Sequence, residues 1–165
     1  ARLKSIGTHH VMATVLSVAW HKARAILGME DGAIQQMDLR GGSSEATLRG
    51  HRSSISVMAV QWKHARAITG SFDKTLRLWN LKKTECIRII GGHPDALRTL
   101  SVDWEIGVAL SSSWDGEMQL WEVADDGDGS LQPVGGEARV GGACLLSVSE
   151  AALADDENDS GLEDL

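Results

Sequence analysis

The sequence predicts an all-β chain built from three copies of one four-stranded antiparallel unit, and two observations predict it. The first is a repeat of 42 residues without slippage. His9, His51 and His93 fall in register, as do Trp20, Trp62 and Trp104, then Asp31, Asp73 and Asp115, then Met37, Trp79 and Trp121. The second is the texture of each copy, which consists of short, partly alternating runs rich in β-branched residues and tryptophan. A helical repeat would need a 3.6-residue periodicity that is missing, and it would strand Trp and Arg on one face.

The second copy gives the elements in order. Ile55–Trp62 reads as a first strand, Ala65–Ser71 as a second, Thr75–Asn80 as a third and Cys86–Ile90 as a fourth. Lys63 and His64 suit a tight hairpin, Phe72-Asp73-Lys74 the next turn, and residues 81–85 a longer one. Four antiparallel strands in 42 residues is the size of a propeller blade. The fold class is therefore a partial β-propeller of three four-stranded blades, at roughly residues 9–49, 51–90 and 93–134. A candidate extra strand lies at 143–149, after the loop 125–130, and an acidic tail reading as disordered follows at 150–165.

Gly50-His51, Phe72-Asp73 and Leu78-Trp79-Asn80 in the second copy, with Gly92-His93, Trp114-Asp115 and Leu120-Trp121-Glu122 in the third, resemble the WD-repeat family. The terminal Trp-Asp pair has drifted to Trp-Asn and Trp-Glu, while its spacing has not. The resemblance covers roughly residues 8–149. It implies a polar relay in each blade, from His through a strand Ser or Thr to the turn Asp and the indole N–H. Carried over, the second blade uses His51, Thr69 or Ser71, Asp73 and Trp79; the third uses His93, Ser111 or Ser113, Asp115 and Trp121. The first copy keeps His9 and Asp31 but has Leu27, Met29 and Met37 in place of the hydroxyl and the indole. It should rest on apolar packing and be the least rigid blade.

Composition narrows the function classes. Apolar residues make up 42% and charged residues 24%, a globular mixture. The net charge of −7 belongs to the tail, since Glu150 onward holds seven acids and no Lys or Arg. The remaining 16 acids then balance the 16 bases of residues 1–149, so direct nucleic-acid binding is not expected. Cys86 and Cys144 form no metal or redox motif, which suits a reducing compartment, cytoplasmic or nuclear. The longest apolar stretch, Val11–Trp20, is too short to span a bilayer. The chain starts at Ala1 rather than Met, which leaves upstream repeats or a targeting segment open.

His, Asp and Ser also make hydrolytic triads, but here they recur blade after blade, whereas an active site would occur once. No enzyme activity, metal or cofactor is expected. His9, His10 and His21 lack any ligand spacing. The three Trp at 20, 62 and 104 end the first strands and read as inter-blade packing.

The resemblance also implies a docking face at the second turn of each blade. Its residues are Glu30, Phe72 and Trp114 before the Asp, then Met12 and Thr14, Ser54 and Ser56, and Ala96 and Arg98 after the His. Two aromatics beside an Arg and two Ser have the makings of an interface hot spot, unless the rings tuck against neighbouring blades. The reading is a non-enzymatic scaffold or adaptor for a protein or peptide. The alternative is a structural subunit of a larger complex, a ribonucleoprotein among them. Three blades do not close a ring. Missing blades of a longer chain, self-association, or another protein are the three ways of completing it.

Overall fold

The computed structural model describes residues 12–91 and 93–123, with the backbone of 131–133 and 138–139. The first blade orders β1 (Ala13–Ala19), β2 (Arg24–Met29), β3 (Ile34–Asp38) and β4 (Ser43–Leu48) side by side, all antiparallel. The second repeats this with β5 (Ile55–Gln61), β6 (Arg66–Ser71), β7 (Thr75–Asn80) and β8 (Glu85–Gly91). The third has β9 (Leu97–Asp103), β10 (Val108–Ser113) and β11 (Glu117–Val123), and two short pieces on the far edge of β11. These are β12 (Leu131–Pro133), beside its end, and β13 (Ala138–Arg139), beside its start. The inner strands β1, β5 and β9 pack side by side, so the blades stand as an open arc around one axis. The candidate strand at 143–149, the tail at 150–165, His9, His10 and Cys144 lie outside the described residues.

Turn chemistry repeats as faithfully as the strands. The turn after each inner strand ends on a left-handed residue at Ala23, Ala65 and Gly107, with φ of 50°, 53° and 70°. The turn after each second strand does the same at Gly32, Lys74 and Gly116, with φ of 82°, 69° and 87°. Trp20–Lys22 forms a short 3-10 turn. The first strands stop one residue before the column of Trp, so Trp20, Trp62 and Trp104 sit at the start of these turns.

Two apolar seams hold the arc. Between the first two blades, Ile26, Ile34 and Leu48 meet Ile55, Ala67, Trp79 and Leu81. Between the second and third, Ile68, Leu76, Leu78 and Ile90 meet Leu97, Ala109, Trp121 and Val123. Each Ile, Leu or Val among them, when fully buried, contributes about 1.5–3 kcal/mol relative to exposure. Gly28 and Gly70 permit the close approach: a Cβ on Gly70 would lie 2.7 Å from Val57 Cγ2 and 2.9 Å from Leu97 Cβ. Bulges at Thr14 and Ser56 turn these hydroxyls into the seams. Thr14 donates toward the carbonyls of Gly28 and Ile55, and Ser56 toward Gly70 and Leu97.

The expectation for the Trp column splits. Trp62 packs against the first seam and Trp104 against the second, but Trp20 is 81% exposed. Leu16 and Leu39, which correspond to Met58 and Leu81 in the first seam, are exposed as well. That column covers the preceding blade, and none stands before β1 among the described residues. In the first blade, Ala25, Leu27 and Met37 form an apolar cluster backed by Val18 and Met29, as the loss of hydroxyl and indole requires.

Candidate interaction surface

Each blade has two rims. The lower rim carries the turn from first to second strand and the turn from third to fourth. The upper rim carries the turn from second to third strand and the entry of the inner strand. One backbone bond ties these upper parts together in every copy: Glu30 N–H to Met12 O, Phe72 N–H to Ser54 O, and Trp114 N–H to Ala96 O, each 3.0 Å. The residue before the turn Asp is thereby held outward. Glu30 is exposed, Phe72 is 46% exposed and Trp114 is 56% exposed. Arg98 lies with its guanidinium carbon 4.9 Å from the centre of the Trp114 ring, a cation–π stack at the surface.

The residues proposed from sequence as one docking face therefore separate. Phe72, Trp114, Arg98 and Glu30 stand at the upper rim with side chains in solvent. Ser54 is half-buried beneath Phe72, which bonds to its carbonyl. Ser56 is turned into the seam instead, its hydroxyl 2.7 Å from Leu97 O. Thr14 does the same one blade earlier. Arg98 occupies this column in the third blade, where no following blade stands among the described residues, and it folds over Trp114.

Beneath this rim the second blade carries a continuous polar chain. Trp79 Nε1–H donates to Thr69 Oγ1 at 2.8 Å, and Thr69 Oγ1 meets His51 Nε2 at 2.8 Å. His51 Nδ1 meets Asp73 Oδ2 at 2.9 Å. A hydroxyl that accepts from an indole must donate onward, so Nε2 accepts, Nδ1 carries the proton and the carboxylate ends the series. Asp73 also receives the Arg52 N–H at 2.9 Å and the Thr75 hydroxyl at 2.6 Å. Ser71 is outside this chain; its hydroxyl donates to Ser53 O and accepts the Asp73 N–H.

The third blade closes the same path with one more link. Trp121 Nε1–H donates to Ser111, which meets His93 Nε2 at 2.7 Å. His93 Nδ1 meets Ser113 Oγ at 3.2 Å, and Ser113 donates to Asp115. Both candidate serines are used here, against one hydroxyl in the second blade. In the first blade Asp31 caps its turn through the Ala33 N–H at 3.0 Å and pairs with exposed Arg49 at 3.2 Å.

The electrostatics follow from burial. Burial pushes His51 below its ordinary 6.5, and it outweighs the opposing pull of Asp73. His93 is lowered for the same reason. At Asp73 burial raises the carboxyl, but hydrogen bonds from Thr75, the Arg52 N–H and His51 prevail and bring it to about 2. Asp115 is lowered first by the hydrogen bond from Ser113. A neutral imidazole between a buried hydroxyl and an ionised carboxylate ties the inner-strand entry, the second strand and the turn together in each of these two blades. Sequence reasoning missed Thr75, whose signal is a hydroxyl two positions after the turn Asp, and Arg77, buried beside Gly50 and Trp79.

No curated protein matches the chain. Residues 42–80 match the family described as WD domain, G-beta repeat. That stretch runs from β4 of the first blade to the end of β7 in the second, so the family unit straddles a seam. The matched stretch is thus similar to a WD repeat, and the blade that follows it repeats its His, hydroxyl, Asp and Trp at the same spacing.

Proposed function

We propose that the chain is a non-enzymatic scaffold that binds a protein or peptide across the upper rim of its second and third blades. The observation that supports this is the Arg98–Trp114 stack, two blade positions combining a half-exposed indole and a cation, with half-exposed Phe72 on the neighbouring blade. Large aromatics and Arg are the residue types that anchor interfaces. None of the three belongs to a seam cluster. Phe72→Ala, Trp114→Ala and Arg98→Ala should therefore weaken capture of a partner about tenfold or more while changing the melting temperature by about 2 °C or less. Affinity purification with mass spectrometry, paired with thermal melts, checks this. Variants that unfold early would place the rings in the core and sink the proposal.

A second reading, a subunit built into a larger assembly, draws on the ends of the arc. Leu16, Trp20 and Leu39 are exposed on one side. Leu110, Met118 and Leu120, the counterparts of seam residues Ile68, Leu76 and Leu78, are half-open or exposed on the other. Faces of this kind are covered in working proteins, by further blades, a second copy or another protein. Co-purification that resists high salt would favour this reading over a transient adaptor.

A further inference from the structure

The neutral balance of residues 1–149 conceals a local excess of base on one rim of the first two blades. On the lower rim of the first two blades, the turns 20–24, 38–45, 62–66 and 80–85 carry seven Lys and Arg side chains against three carboxylates. Those carboxylates are already engaged: Glu45 pairs with Arg24 at 3.0 Å, Glu85 lies 3.7 Å from Lys83, and Asp38 caps the Arg40 N–H. Lys63 and Lys82 are exposed and have no carboxylate partner among the described residues. The three second-to-third-strand turns of the upper rim hold four carboxylates, Glu30, Asp31, Asp73 and Asp115, against Lys74, and with Arg49, Arg52, Asp95 and Arg98 at the inner-strand entries that rim is close to balance. The basic surface stops at the third blade, where Glu105 takes the column of Lys63 and Asp103 lies beside it.

We propose that this lower-rim surface is the docking site of the chain's own acidic segment, residues 150–165. Charge complementarity and reach carry the assignment. The segment holds seven acids and no Lys or Arg. Arg139 is the last described residue, paired with Glu117 at the upper end of β11, and ten residues separate it from Glu150. An extended chain spans about 3.3–3.6 Å per residue, so these ten residues cover the height of a seven-residue strand and continue to the next blade. Exposed ion pairs contribute little each, and a patch of this size holds a separate anionic partner poorly. A tethered segment meets it at an effective concentration on the order of millimolar, where weak pairs suffice. The surface so occupied is screened from other polyanions.

Zero-length carbodiimide cross-linking of the full chain tests this, with the linked peptides mapped by mass spectrometry in a mixture of light and 15N-labelled protein. The expected result is links from Asp155–Asp164 to Lys63 and Lys82 within single chains, at about 0.05 M NaCl, falling about fivefold or more at about 0.5 M. Lys74 on the upper rim should link far less. Links to Lys74 at equal yield, no links, or yields indifferent to salt overturn the proposal. Links only between light and heavy chains make a second copy the occupant and overturn it too. So does a short oligoribonucleotide at micromolar concentration that abolishes the links and protects the same lysines.

Discussion

Thr69 places one hydroxyl between two buried nitrogens, Trp79 Nε1 and His51 Nε2, and is itself fully buried. Removing the hydroxyl leaves a donor and an acceptor unsatisfied at once, each costing about 1–3 kcal/mol. Thr69→Ala should therefore destabilise by about 2–4 kcal/mol. Thr69→Ser should cost far less, because Ser111 does the same work in the third blade. Denaturant unfolding of the pair checks it, and equal losses would mean that the methyl rather than the hydroxyl matters. The same chain sets an acid limit. His51, His93 and Asp73 all titrate lower folded than unfolded, so the unfolded chain binds more protons. Their contribution is complete above the ordinary histidine value of 6.5 and shrinks as pH falls below it. Asp73 adds its own loss between 3.8 and about 2. Melting temperature should fall from about pH 7 to pH 5 and again below about pH 4. His51→Gln should flatten the first decline, and an unchanged slope would remove His51 from the account.

At the level of turns and strands, the repeat supplies its own controls. Lys74 sits at φ 69°, while the same column holds Gly32 and Gly116. A left-handed backbone costs a residue with a Cβ about 1–2 kcal/mol, partly offset by the greater freedom of unfolded glycine. Lys74→Gly should stabilise the second blade by about 0.5–1 kcal/mol, less the exposed contact of its ammonium with Pro94 O. Thermal melts decide, and a loss of stability would show that this contact outweighs the strain. These columns also mark how far sequence could see. Strand positions and the His–hydroxyl–Asp–Trp series are legible because a repeat writes the same constraint more than once. Ser56 was misplaced at the rim because a bulge re-aims one side chain, and the alternation of a strand gives no sign of it. Thr69 and Ser71 are both two-apart hydroxyls before Asp73, and only the depth of each within the sheet separates the relay member from the turn member. The basic excess on the lower rim of the first two blades was invisible because net charge sums over both ends of every strand.

Across the whole molecule, the column logic identifies a face waiting for a neighbour. Trp62 and Trp104 each cover the blade before their own, and Lys22 reaches across the first seam to donate to Trp62 O at 2.7 Å. Trp20 has the same place in its blade and none of the cover. An exposed indole with Leu16 and Leu39 beside it is an apolar face of the kind that binds protein. Because Trp20 is 81% exposed and belongs to no apolar cluster among the described residues, a charge there should leave the fold intact and act only on association. Trp20→Glu should change the melting temperature of the dilute chain by about 1 °C or less. In sedimentation over rising concentration, the unaltered chain should shift toward larger species, and Trp20→Glu should hold it at the smallest. Leu39→Glu, on the same face but nearer the cluster of Ala25 and Met37, should repeat the effect on association with a larger loss of stability. If the unaltered chain sediments as one small species at every concentration, a second copy is not what covers this face. If Trp20→Glu melts early, the indole is already part of a core, and the equivalence of its column with Trp62 and Trp104 fails.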